Sequence, residues 1–370
     1  MSRIRGLVLA LALGSALTRP APAPAQVQEG QLFIGAESRS LRFEGLPLLQ
    51  RLRQTVVPVG GVIPAGRFTF DIGSSWASTR MDRLDGTSHS VDAFTDTQVR
   101  GAVVIGRDVA VATVLVNLPT GLDRASPKDY TVIGAISPGL LGFPVASYAS
   151  GFSVTSGLAG AIQTGNWSMG LAASFRLGSE FTPYADAEGP ITYKPGVEGR
   201  MRAGVDGLIG QSRFSAGVTY STFGDDHFGQ SGALRGEYRP GPRWVAEAAL
   251  LAPVGSSTLE LSAWHFRRSA GDSTGSSARN RENLTGAEAL LSIPLAHWIA
   301  VEPTIMGRRS NPQAGSASMW GGGAGVRLQL GRSVSIAPAM RFDDGEIEDP
   351  AGNQVDLRGW HFSAFLRWTL

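Results

Sequence analysis

The residues able to do chemistry are few and scattered. The chain has no cysteine, which removes disulfides, thiolate metal sites and thiol nucleophiles together. Its five histidines, His89, His227, His265, His297 and His361, stand far apart, and none has the spacing of a metal pair. His361 and Ser363 are two residues apart. On a strand that spacing puts both on one face and could serve a Ser–His hydrolase, but the rest of such a site is missing. Asp343-Asp344-Gly345-Glu346 with Glu348 and Asp349 could hold Ca²⁺ between loops, or form an ordinary solvated loop. Gly321-Gly322-Gly323-Ala324-Gly325 looks like part of a dinucleotide loop, but it sits inside an alternating strand, where small residues ease curvature. No G-x-x-x-x-G-K-[ST], H-E-x-x-H or G-x-S-x-G occurs. The sequence therefore predicts no enzyme, no catalytic residue, no metal and no cofactor.

The richer set is charged and periodic. Asp71, Glu198, Asp206, Glu237, Glu247, Glu260 and Glu288 occupy polar positions in alternating segments, as do Arg200, Arg202, Arg213, Arg235, Arg239, Arg327, Arg341 and Arg367. Pores selective for ions carry rings of one sign. A balanced set instead points to Arg–carboxylate ladders that brace a wall, or to a neutral or apolar permeant.

What must position these residues is a set of strands. In 167–177, Trp167, Met169, Leu171, Ala173, Phe175 and Leu177 lie on one face and Ser168, Gly170, Ala172, Ser174 and Arg176 on the other. Segments 197–207, 213–223, 320–330 and 333–342 repeat the pattern, an oily ribbon side backed by a polar one. Very short connections, such as Gly106-Arg107-Asp108, Thr164-Gly165-Asn166 and Gly331-Arg332, alternate with long polar ones at 80–95, 119–129, 178–196, 269–283 and 343–354. Tight turns at one end and long loops at the other are the habit of bacterial transmembrane barrels. Trp167, Trp244 and Trp298 are read as following short turns, and with Trp320 and Trp368 they form an expected membrane girdle. The last strand counts back by twos as Leu370, Trp368, Leu366, Ala364, Phe362 and Trp360, the pattern that barrel assembly machinery recognises. Charges on such ribbons cannot face lipid, where a midplane Arg costs about 2–4 kcal/mol, so the charged set is assigned to the lumen. The competing fold, a soluble β-sandwich, would bury the oily faces against each other.

The predicted fold is all-β, a transmembrane antiparallel β-barrel of about 14 strands, with 12 or 16 as alternatives. The candidate strands number fifteen, and the turn pattern breaks between 232 and 268, so one strand there is expected to lie outside the membrane or merge with a neighbour. A helix within 130–175 is disfavoured: the stretch is uncharged, but Pro138, Pro144 and frequent Gly break any helix of spanning length. Residues 1–25 read as a signal peptide, with Arg3 and Arg5, the apolar run from Leu7 to Leu13 and Ala23-Pro24-Ala25 before Gln26. Residues 26–64 do not alternate and are expected to be a periplasmic tail or a plug; 65–370 is the barrel. The chain has 33 basic and 31 acidic residues. Three of the arginines fall in the export segment, so beyond it acids lead by one, which excludes a nucleic-acid partner.

Val116-Asn117-Leu118-Pro119-Thr120-Gly121, the uncharged stretch that follows and Gly165-Asn166-Trp167 resemble the outer-membrane family linked to meta-pathway phenol degradation. The likeness covers about residues 100–200 and implies a transporter of aromatic compounds. More distantly, a 14-strand barrel with an N-terminal segment is similar to the long-chain fatty-acid transporter family. Neither carries binding residues over. The expected protein is a bacterial outer-membrane channel passing a small hydrophobic or uncharged solute. Its partners are membrane lipid, the assembly machinery and the solute. The alternative is a closed structural or adhesion barrel that acts through its loops.

Overall fold

The computed structural model describes residues 29–46, 48–106, 110–187, 189–230, 233–273, 281–311, 316–348 and 352–370. The export segment lies outside them, as do the side chains of 233–235 and 273. The strands are β1 (Gln31–Glu44), β2 (Leu49–Ala65), β3 (Phe68–Arg83), β4 (Ser88–Phe94), β5 (Thr97–Ile105), β6 (Ala110–Leu118), β7 (Ser153–Thr164), β8 (Trp167–Gly178), β9 (Phe181–Asp186), β10 (Gly189–Lys194) and β11 (Glu198–Ile209). They continue as β12 (Ser212–Phe223), β13 (Asp226–Gln230), β14 (Ala233–Arg239), β15 (Arg243–Val254), β16 (Ser257–Arg268), β17 (Asp272–Ser273), β18 (Glu282–Ala296), β19 (Ile299–Ser310), β20 (Ala317–Leu330), β21 (Val334–Glu348) and β22 (Gln354–Thr369). Helix α1 (Pro127–Ile136) and a 3-10 turn (Gly139–Leu141) fall between β6 and β7.

Antiparallel pairing runs β1-β2-β3-β5-β6-β7-β8-β11-β12-β15-β16-β18-β19-β20-β21-β22 and back to β1. The result is a closed barrel of 16 strands. β4 lies outside that ring count: it continues β5 upward along β3 after a break at Thr95-Asp96. Both chain ends of the barrel meet at one rim, where the Leu370 N–H donates to the Gly30 carbonyl (2.8 Å). The same rim carries the short turns, several with glycines at positive φ, such as Gly165 (59°) and Gly210 (62°). The opposite rim carries the long connections. There β9, β10, β13, β14 and β17 form a second, five-stranded sheet, in which each strand prolongs one barrel strand beyond the rim.

Sixteen strands is two more than the sequence spacing favours, and two opposite corrections produce it. Segment 232–239 becomes β14 and belongs to the outer sheet, so one candidate leaves the ring. The segment expected as a tail or plug instead supplies β1 and β2, two full wall strands, with 26–28 outside the described residues. Their alternation inverts halfway. On β1, Leu32 and Ile34 point outward near the short-turn rim, whereas Leu41 and Phe43 point inward and are buried nearer the other rim. On β2, Val59 and Ile63 are outward and exposed, while Leu52 and Val56 are inward and buried. The face that is apolar switches because something apolar fills the upper lumen, so neither strand reads as a simple two-faced ribbon.

That filling is residues 119–152, folded into the barrel. α1 begins with a capping box: the Asp129 N–H donates to Ser126 Oγ (3.3 Å) and the Ser126 N–H to Asp129 Oδ2 (2.9 Å), with Pro127 in the first turn. It ends at Ile136, before Pro138. The prolines that forbid a spanning helix therefore permit this ten-residue one, which corrects the expectation of no helix.

Elsewhere the outer wall is apolar and open to its surroundings. Phe70, Ile72, Leu158, Ile162, Met169, Leu171, Met201 and Ile305 are exposed large hydrophobic residues that no second sheet covers, so the barrel is no sandwich. Trp167 and Trp368 face outward at the short-turn rim, where Trp298 is an exposed residue of the turn between β18 and β19; Trp244 and Trp320, with Trp360, face outward toward the long-loop side. Trp244 is a correction to its assigned turn, since it follows Pro240-Gly241-Pro242 at the end of a long connection. Two aromatic levels bounding an apolar band match a membrane wall about 25 Å tall.

Leu171 is 70% exposed in mid-band, so Leu171→Arg should lower unfolding stability in a bilayer by about 2–4 kcal/mol, against under about 1 kcal/mol for Leu330→Arg at the rim. Denaturant titration in vesicles measures both; equal costs would mean the band does not face acyl chains.

Candidate functional site

The site is the lumen and the segment folded across it. Strand parity sorts the inward side chains. Asp71, Glu198, Arg200, Arg202, Asp206, Arg213, Glu247, Glu260, Glu288, Arg327, Arg341 and Arg367 all project into the barrel. Arg235, Glu237 and Arg239 do not, because β14 is in the outer sheet. There Arg239 Nε and Nη2 donate to Asp225 (2.7 and 2.8 Å), and this pair holds the Asp225 carboxyl below its ordinary range. His227 Nδ1 lies 3.3 Å from Glu237 Oε1 in the same sheet. The side chain of Arg235 lies outside the described residues.

Along β8 to β16 the inward charges form a ladder. Glu198 Oε1 accepts from Arg200 and Arg243, both at 2.8 Å. Arg202 donates to Glu247, reaching across β12 where Gly217 leaves room; a Cβ there would sit 3.0 Å from Arg202 Nη2. Arg213 donates to Asp206 (2.9 Å), and Arg268 pairs with Glu282 (2.8 Å). Further round, Arg327 pairs with Glu302 (2.9 Å) and Arg100 with Asp71. The arginines of these pairs stay partly exposed, Arg200 by 45% although it points inward, while Glu198 and Glu302 are buried beneath them. Water-accessible space therefore adjoins this wall inside the barrel.

The opposite wall is dry where residues 119–152 lie against it. Residues 119–152 leave β6, cross to the 3-10 turn beside β19 and β20 on the far side of the ring, and return along β1, β2 and β3 to β7. Val132, Ile136, Leu140, Leu141, Phe143, Val145 and Tyr148 pack on Leu41, Leu52, Val56, Met81, Leu284, Met319 and Leu357 in one buried cluster. This is a plug, built from an internal connection rather than from the N-terminal segment.

Four polar anchors seat it. Gln54 on β2 treats Val145 as a strand neighbour would, donating to its carbonyl (2.8 Å) and accepting its N–H (2.9 Å). Tyr148 and Thr79 share a 2.5 Å hydrogen bond, and burial pushes the Tyr148 phenol up. Asp96, in the break between β4 and β5, accepts from the N–H groups of Gly121 (3.0 Å) and Ser150 (2.7 Å) and from Asn117 Nδ2 (2.9 Å), closing the neck of the plug. His89 on β4 meets Asp129 on α1 at 2.8 Å. Burial would raise that carboxyl, but His89 and Ser126 outweigh it and hold the group below its ordinary value.

Beneath the 3-10 turn, Arg39 and Asp343 are both 0% exposed and meet at 2.8 Å, and Arg341 Nε donates to Asp343 (2.8 Å). Inward Gly321 and Gly323 leave the surface on which these side chains lie, since a Cβ at either would collide with Asp343 or Arg341. The glycine run thus serves side-chain packing. Gly142, in the left-handed region (φ 61°), lets the plug pass over Arg308, whose guanidinium any side chain there would strike.

The two catalytic patterns dissolve on inspection. His361 Nε2 lies 3.3 Å from Glu37, and among the described residues no hydrogen bond joins it to Ser363. Asp343 points inward and Asp344 outward to Arg358 (3.0 Å), so successive carboxylates on a strand diverge, and no metal-binding group occurs among the described residues.

No protein-family model and no curated protein sequence matches the chain. Among solved structures it is similar to the loop L8 deletion mutant of OmpT, an outer membrane protein of Vibrio cholerae, with 7% identity, 92% of this chain and 99% of that one covered, and a TM-score of 0.45. It is also similar to a mutant of the TodX monoaromatic hydrocarbon channel (10%, 92% and 90%, 0.46) and to the CymD monoaromatic hydrocarbon channel (8%, 93% and 90%, 0.42). Likenesses this distant carry no argument about what this chain passes or binds.

Gln54→Leu strips two backbone groups of Val145 of their partner inside the barrel. Amide exchange across 132–148 should accelerate about 10- to 100-fold while the wall strands keep their protection. Exchange mass spectrometry reads this directly; unchanged exchange would show that the plug is not seated by this contact.

Proposed function

We propose that this protein is a bacterial outer-membrane channel through which a small uncharged or apolar solute passes without energy input, along an eccentric route between the plug and the β8–β16 wall. The observation that carries the reading is the asymmetry of the lumen: wet, half-exposed ion pairs on one side and a dry plug seat on the other. A 16-strand wall is wide enough to leave an aqueous channel, and the plug narrows it. Ladders rather than a ring of one sign weaken any ion preference, and they fix long side chains flat against the wall. Glu260 and Glu288, inward on β16 and β18, stand near each other outside the ladder.

The rival is a closed barrel that works through its loops. The five-stranded sheet above the rim favours it, because it raises a structured surface where many barrels carry irregular loops.

Replacing 123–147 by a short Gly/Ser linker keeps the Asp96 neck and removes the plug body. Planar-bilayer conductance should rise several-fold over the intact protein, which itself should pass small neutral solutes in liposome swelling, as expected of a lumen of this strand number. No permeability in either form would sink the channel reading and leave the loop-acting barrel.

A further inference from the structure

Five arginines project outward from four neighbouring strands just beyond the aromatic level on the long-loop side. Arg358 of β22, Arg42 of β1 and Arg51 of β2 are direct cross-strand partners in a single row. Arg53 of β2 and Arg80 of β3 are partners two residues lower, in the row that also holds Ser40 and Trp360. Like charges placed directly opposite on a sheet repel and destabilise it. Two of the five are answered locally: Arg358 by Asp344 (3.0 Å) and Arg80 by Asp82 (2.8 Å). Glu44 and Asp356 face each other in the next row up, beyond the cluster. Asp82 is also the cross-strand partner of Arg51, and Glu346 stands opposite Asp356, so carboxylates flank the arginine row at both ends and above. Among the described residues no ion pair or hydrogen bond engages Arg42, Arg51 or Arg53 themselves, so these three guanidinium groups keep their donors open to a further partner.

We infer that this patch binds the phosphate of an outer-leaflet glycolipid. The depth fits: Arg358 and Arg42 stand about 7 Å along the strand beyond Trp360, an exposed outward indole that marks the headgroup level. Below the arginines the same strands present Trp360, Phe362, Val59 and Ile72, all exposed, a wall on which acyl chains lie. A free phosphate could use the guanidinium groups but not that wall. Arginine forks take phosphate oxygens two at a time, and three adjacent forks suit one phosphorylated headgroup. The inference rests on the proposed outer-membrane placement.

The test titrates the detergent-purified protein with a diphosphorylated glycolipid and with its dephosphorylated form, counting bound lipid by native mass spectrometry. The phosphorylated lipid should bind about tenfold tighter, and Arg42→Ala/Arg51→Ala/Arg53→Ala should erase that preference while keeping wild-type channel conductance. Equimolar inorganic phosphate should displace no lipid. Equal binding of the two lipids, an unchanged preference in the triple variant, or displacement by inorganic phosphate overturns the inference. A protein that stays monodisperse without detergent overturns the membrane placement instead, so the two failures are distinguishable.

Discussion

Closure of the sheet is the constraint on which the rest depends. In a hydrocarbon medium an unpaired peptide group costs several kcal/mol, so a wall of strands must pair every edge, and only a ring does so. Here the ring closes over a long seam: β1 meets β22 from Gln31 against Thr369 to Glu44 against Asp356. Closure fixes parity everywhere. Once Leu171 is outward, its partners Ala203 and Gly160 are outward too, and Arg202 and Asp206 are inward. The pairing of charges in the lumen is thus inherited from backbone register, with side chains choosing partners only within reach of that register.

The plug adds a second boundary condition. Wall strands that border only water and lipid keep one pattern from rim to rim. Those under the plug must be apolar outward in the membrane band and apolar inward above it, with polar groups such as Gln54 and Thr79 kept inside because they bond the plug or each other. This explains what the sequence could and could not disclose. β8, β11 and β12 face water on one side and were legible as ribbons, with Glu198, Arg202 and Arg213 on the correct face. β1 and β2 were illegible because their parity reverses, which hides two strands and the inward roles of Arg39 and Gln54.

Other gaps have different physical causes. Arg235, Glu237 and Arg239 alternate as lumen residues do, yet β14 pairs with β13 and β17 beyond the rim; local periodicity reports a two-faced strand and is silent on its height. Asp343 and Arg341 were visible as charges, but their burial under the plug depends on Gly321 and Gly323 from another strand. The plug left a trace that periodicity could not interpret: a long uncharged stretch, rich in glycine and interrupted by prolines, between two strands. Such a stretch can be dry only if the barrel encloses it.

The position of the plug in the chain shapes what it can do. Both its ends are fixed to neighbouring strands, β6 and β7, so it cannot leave the barrel as a separate domain would. Asp96, Asn117 and Ser150 tie the neck, whereas the distal 3-10 turn is held largely by packing against Leu284 and Met319 and by the passage of Gly142 over Arg308. Hydrogen bonds at the neck resist opening near the wall, while apolar contacts at the tip lose only burial when displaced. The part freer to move is therefore the tip over Arg39, Arg308 and Arg341, and the neck is the part built to stay.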